Sequence, residues 1–126
     1  MTLPEFNIKT RVNCKIFEKT QFSMFTDEVR SHLTDLKTES IVIFGLETHV
    51  CVSQSAKDFL HANFNVFLAS DGIASRFPED REIALKQLKN FNAVVSTSES
   101  IIFELIKDAN HEKFKEISTL IKTRKE

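Results

Sequence analysis

Apolar residues recur along this chain in two alternating rhythms, and the alternation predicts its elements. Residues 13–17 (NCKIF) suggest a short first strand. At "TDEV", Thr26 reads as an N-cap followed by acidic residues, the arrangement that satisfies the free N–H groups of a helix start. Val29, Leu33 and Leu36 then follow at i, i+4 and i+7, one face of a helix. Residues 40–44 (SIVIF) are β-branched and apolar on both faces and end at Gly45, the pattern of a strand buried in a parallel sheet. Next comes a helix over 51–63, with Val52, Ala56, Phe59 and Leu60 on one side. A second apolar strand over 65–70 ends at Asp71-Gly72, a dipeptide that favours a turn. Pro78 with Glu79 and Asp80 opens a helix with an apolar stripe of Ile83, Ala84 and Leu88. Residues 92–97 (NAVVST) form a third strand. "STSE" resembles a capping box opening a helix that carries Ile101, Ile102, Leu105 and Ile106. A last helix from about His111 is expected to bury Phe114, Ile117, Leu120 and Ile121.

Strands alternating with helices imply a three-layer α/β fold, a parallel sheet flanked by helices with right-handed crossovers. Ligands of such sheets bind beyond the carboxyl ends of the strands. That rule selects three short segments: 45–51, 71–75 and 97–99.

Composition narrows the choices. A chain of 126 residues, 41% hydrophobic, makes one globular domain or part of one. Its aromatic residues are 12 Phe with no Tyr or Trp, which favours core packing over polar-edged recognition. A net charge of -1 gives no electrostatic case for nucleic acid or a membrane surface. No apolar run is long enough for a transmembrane helix, and the first residues lack the h-region of a signal peptide. Two widely spaced cysteines, Cys14 and Cys51, suit free thiols in a reducing compartment, so the cytoplasm is the expected location. His32, His49, His61 and His111 show no metal-ligand spacing, and neither a metal nor another cofactor is expected.

Cys51 follows the 40–44 strand by a short turn and stands at the start of the next helix. Free N–H groups converge at such a position; they favour a thiolate and can hold a developing oxyanion. A small buried thiol would produce the same spacing. Lys19, in "FEKTQF", is an ordinary surface charge unless the fold brings it beside Cys51, where a cation would stabilise the thiolate. His49 lies two residues before Cys51, but sequence proximity does not put the ring on the sulfur. It reads as a loop residue or a wall of a substrate pocket, with Thr48 and Phe22 as further candidates for that wall.

"IVIFGLETHVCV" resembles the nucleophile segment of isochorismatase-like cysteine hydrolases: an apolar strand, Gly, two variable residues, Thr, two more, then Cys-Val. "EKTQFSMF" resembles the same family's segment around its catalytic lysine. "STSESIIFELIKDANHEKFKEISTLIK" resembles the C-terminal part of animal isochorismatase domain-containing proteins. The resemblance implies a six-stranded parallel sheet in order 3-2-1-4-5-6 and an Asp-Lys-Cys triad that hydrolyses amides or vinyl ethers of small molecules, often in an oligomer. By motif it makes Cys51 the nucleophile and Lys19 its cationic partner. It also implies a non-proline cis peptide at Leu46–Glu47, with the N–H groups of Glu47 and Cys51 aimed at the oxyanion.

One member of the triad has no counterpart: no apolar strand ending in Asp precedes Lys19. Measured against the family pattern, the chain starts just before the third strand, two βα units short, on the order of 60 residues. The expectation is therefore a partial isochorismatase-like domain, inactive alone because a triad acts as a unit, with the 40–44 strand left as an open apolar edge. Two other readings stay open: a catalytically dead module that binds a protein through that edge, and a binding module that shares the fold and keeps Cys51 in its core.

Overall fold

The computed structural model describes residues 13–124. Three parallel strands, β1 (Ser40–Leu46), β2 (Asn65–Ala74) and β3 (Val94–Ser96), form one sheet in the order β1-β2-β3. The helices are α1 (Asp27–Asp35), α2 (Ser53–His61), α3 (Pro78–Asn90), α4 (Ser98–Ile106) and α5 (Phe114–Lys122), and a single π-helical turn, Thr48–Val52, leads into α2. The α/β class and parallel strands match the sequence pattern.

Pleating sorts the residues of the sheet. Ile43, Val66 and Leu68 point to one side and join Val52, Ala56 and Phe59 of the π turn and α2, and Leu85 and Leu88 of α3, in a dry core. Phe59 sits at its centre, 1% exposed, with the rings of Phe25 and Phe64 at 4.8 and 5.8 Å. On the opposite face Val42, Phe44 and Leu46 are 41, 71 and 70% exposed. Among the described residues β1 pairs only with β2, so this strand is both an edge and apolar on its open side.

Several expected elements differ. Residues 13–17 form no strand; a strand needs a neighbour to take its N–H and C=O groups, and no described strand lies beside them. β1 continues through Gly45, at φ +132°, to Leu46. β2 does not stop at Asp71-Gly72. It bulges there, so that Phe44 alone spans what residues 69–72 span in β2, and pairing resumes at Gly45 with Ile73. Gly72 suits that bulge: a Cβ there would stand 3.2 Å from Phe44 Cβ, a tight approach that would push the strands apart by a few tenths of an ångström. The α3 stripe uses Leu85, while Ile83 is 50% exposed. The N-cap of α4 is Thr97, one residue later than the capping-box reading, with its hydroxyl accepting the Ser100 N–H. The last helix starts at Phe114 and has no fully buried residue; the Phe114 ring lies 6.3 Å from that of Phe103, and Leu120 is 68% exposed. Apolar periodicity alone does not supply a surface to pack on.

The bulge gives Asp71 a structural task. Its carboxylate accepts the Ser98 N–H at 2.7 Å and the Ser98 hydroxyl at the start of α4, and Arg124 pairs with it at 3.2 Å. The Ser98 hydroxyl hydrogen bond is the main cause that holds the Asp71 carboxyl below its ordinary value of 3.8. Stabilisation from such a group is complete above the ordinary aspartate value and is lost as pH falls through the lowered one. Asp71→Asn is thus expected to cost about 1–2 kcal/mol at pH 7, and its deficit to shrink as pH drops below about 4. Urea melts across that range read the effect; a deficit independent of pH would refute it.

Candidate functional site

Two segments far apart in sequence meet at the sulfur of Cys51. The first is the π turn after β1. Leaving β1, the chain passes a cis Leu46–Glu47 peptide and enters the turn, where the Glu47 carbonyl accepts the N–H groups of Val50 and Val52 at 3.2 and 3.1 Å. The Cys51 N–H is not among those converging there. Cys51 therefore lies within the π turn rather than at the first residue of α2, which starts at Ser53. Its thiol is half-buried, whereas Cys14 is exposed.

The second segment is the loop before α1. Ser55 is one helical turn beyond Cys51, and its buried hydroxyl accepts the Met24 N–H at 2.8 Å. Phe25 stacks into the Phe59–Phe64 cluster. These contacts lay the loop against α2 at Ser55 and Phe59, just beyond the π turn that carries Cys51. Lys19 Nζ consequently reaches to 3.8 Å from Cys51 Sγ, while donating to the carbonyls of Gln21 at 3.0 Å and Phe22 at 2.8 Å. An ammonium has three protons, and the three acceptors use them all.

The remaining candidates lie in distinct surroundings. Phe22 contributes its carbonyl to Lys19, and its ring is 58% exposed. Thr48 is fully buried, and its hydroxyl lacks a hydrogen-bond partner among the described residues. The ring nitrogens of His49 face other partners: Nδ1 lies 2.9 Å from Ser75 Oγ and 3.8 Å from Glu47 Oε2, and Nε2 lies 3.9 Å from Asp80 Oδ2. Glu47 also accepts the Arg76 N–H. Ser75, Arg76 and Asp80 carry no signal in the sequence as neighbours of the cysteine turn; only the rule about strand carboxyl ends pointed to the 71–75 segment. An open cleft beside Lys19 is lined by Glu18, Thr20, Gln21, Thr26 and Glu28. Among the described residues no three His, Cys, Asp or Glu side chains gather as a metal site, and no helix is long and apolar enough to cross a membrane.

The described residues are thus a parallel α/β sheet with a cysteine in the turn after β1 and a lysine brought to the sulfur from a separate loop. The isochorismatase domain matches residues 2–100. The chain is 48% identical over 116 residues to isochorismatase family protein 1B of Dictyostelium discoideum, covering 89% of this chain and 55% of that one. It is 44% identical over 108 residues to isochorismatase domain-containing protein 1 of Salmo salar, covering 85% of this chain and 38% of that one. A solved structure named MAR1 ribonuclease, from Caenorhabditis elegans, superposes with a TM-score of 0.89 at 36% identity, covering 98% of this chain and 63% of that chain. The chain belongs to the isochorismatase family. It spans about half the length of the Dictyostelium protein, less than half of the Salmo salar protein, and 63% of the C. elegans chain.

Proposed function

We propose that these residues carry the nucleophile half of a hydrolase that acts on a small amide or related acyl compound. The Cys51 thiolate attacks the carbonyl carbon, forming a C–S bond and placing negative charge on the carbonyl oxygen, which the N–H groups of Glu47 and Cys51 receive. Collapse breaks the bond to the leaving group, which takes up, through an acid–base carrier, the proton that the thiol gave up on becoming a thiolate. Water then cleaves the thioester, giving the acid and returning the thiol. Lys19 stabilises the thiolate throughout. The observation that carries this reading is the Lys19 Nζ to Cys51 Sγ approach of 3.8 Å, a cation beside a half-buried thiol and far from it in sequence.

A proton carrier is still required. Among the described residues no carboxylate is hydrogen-bonded to Cys51 or paired with Lys19. The described residues alone are therefore proposed to bind and react at sulfur without turnover; the protein is proposed to act in the cytoplasm and as part of a homo-oligomer. Iodoacetamide at pH 7 tests the nucleophile directly, with Cys14 as internal control: Cys51 should be alkylated at least tenfold faster. Equal rates for the two thiols would sink the proposal.

The exposed Val42, Phe44 and Leu46 of β1 favour a second reading, a module that binds a protein partner along this edge. A sizing column showing a monodisperse monomer with no capture of partners would remove it. The C. elegans neighbour bears the name of a ribonuclease. The net charge of -1 gives no phosphate-binding excess, so RNA is the second substrate class to assay, after small amides.

A further inference from the structure

Glu47 and His49 flank the buried Thr48, and both reach across to the same loop. Glu47 Oε2 accepts the Arg76 N–H at 3.0 Å, and His49 Nδ1 lies 2.9 Å from the hydroxyl of Ser75, the residue before it. That loop follows β2 directly and leads into α3. The start of α3 adds contacts to His49 and to β2. Asp80 Oδ2 stands 3.9 Å from His49 Nε2, and Arg81 donates to the carbonyls of Ile73 at 3.3 Å and of Ser70 within the β2 bulge. None of these contacts involves the Cys51 sulfur, and the hydrolytic steps do not use them.

We propose that Glu47 and His49 form a two-pronged brace that sets the Cys51 turn against the β2–α3 loop, which makes them positioning residues for the nucleophile. The reason is geometric. Cys51 is two residues beyond one prong and four beyond the other, in one helical turn whose Glu47 carbonyl already anchors Val50 and Val52. Any slip at positions 47 or 49 is carried to Sγ within that turn, and so to its 3.8 Å approach by Lys19. A carboxylate accepting a backbone N–H is a charge-assisted bond, stronger than a neutral one, and the Glu47 prong is therefore the dominant one. The link to reactivity rests on the reading of Cys51 as a nucleophile; the brace itself does not.

Residue-resolved amide exchange and Cys51 alkylation relative to Cys14 test it, in Glu47→Ala, Glu47→Gln and Ser75→Ala. In Glu47→Ala the Arg76 amide and the amides of residues 48–52 should exchange at least tenfold faster, and the Cys51-to-Cys14 rate ratio should change several-fold. Glu47→Gln retains an acceptor oxygen and should return both readouts to within about threefold of the wild type. Ser75→Ala, the variant least able to disturb folding, should speed exchange in the 48–52 turn and leave the Arg76 amide unchanged. Unchanged exchange in Glu47→Ala overturns the brace, as does equal acceleration across all amides with a fallen Tm in both Glu47 variants. If wild-type Cys51 reacts no faster than Cys14, the nucleophile reading fails, while the exchange data still decide the brace.

Discussion

Replacing Lys19 by methionine is expected to slow alkylation of Cys51 about tenfold at pH 7 and to leave Cys14 unaffected. Methionine keeps the length and apolar stem of lysine and removes its charge. Two unit charges at the observed 3.8 Å attract by about 1 kcal/mol in water-like surroundings and about 4 kcal/mol at an effective dielectric near 20. Lys19 is exposed, so solvent screening puts the effect near the lower end, and about 1.4 kcal/mol is a factor of ten. The substitution also releases the carbonyls of Gln21 and Phe22, which Lys19 gathers at 3.0 and 2.8 Å. Lys19→Arg separates the two effects. It retains the charge and donors but spreads them over a planar fork, so it should restore part of the rate. Mass spectrometry of the two cysteine peptides over time reads both proteins. Identical Cys51 rates in wild type and Lys19→Met would mean that the ammonium does not act on the sulfur.

The largest stability loss is expected at Phe59→Ala, about 3–5 kcal/mol. Phe59 is 1% exposed and contacts Phe25 and Phe64, which come from the loop before α1 and the turn after α2. Its removal leaves a cavity where three segments converge, and α2 and β2 meet too closely to collapse into it. Domains of this size are stable by about 5–15 kcal/mol, so the loss is a large fraction of the whole. Urea unfolding should show a lower midpoint with an unchanged slope. The same change should also loosen the loop that delivers Lys19, because Phe25 loses the nearer of its two ring partners. A loss below about 1 kcal/mol would show that the Phe cluster is not the centre of the core.

Sequence alone determined most of the local order. Periodicity located α1 to α4 and all three described strands, because each helix alternates one buried face with a wet one and each strand is flanked by punctuating residues. The Thr26 cap was legible because a hydroxyl followed by acidic residues satisfies free N–H groups through bonds within one turn. The cysteine and lysine segments were legible as motifs. What local pattern cannot carry is contact across distance. A strand over residues 13–17 failed for want of a neighbour, and α5 kept its apolar stripe but buries none of it fully among the described residues. The Asp-Gly pair at 71–72 looked like a turn because turn propensity is local, yet pairing with β1 resumes beyond it and makes it a bulge. The 3.8 Å approach of Lys19 to Cys51, 32 residues apart, and the reach of Glu47 and His49 to Ser75 and Arg76 were decided only in three dimensions. They depend on where α2, α3 and the Phe cluster set the intervening chain, and that position comes from the summed packing of many residues rather than from any one of them.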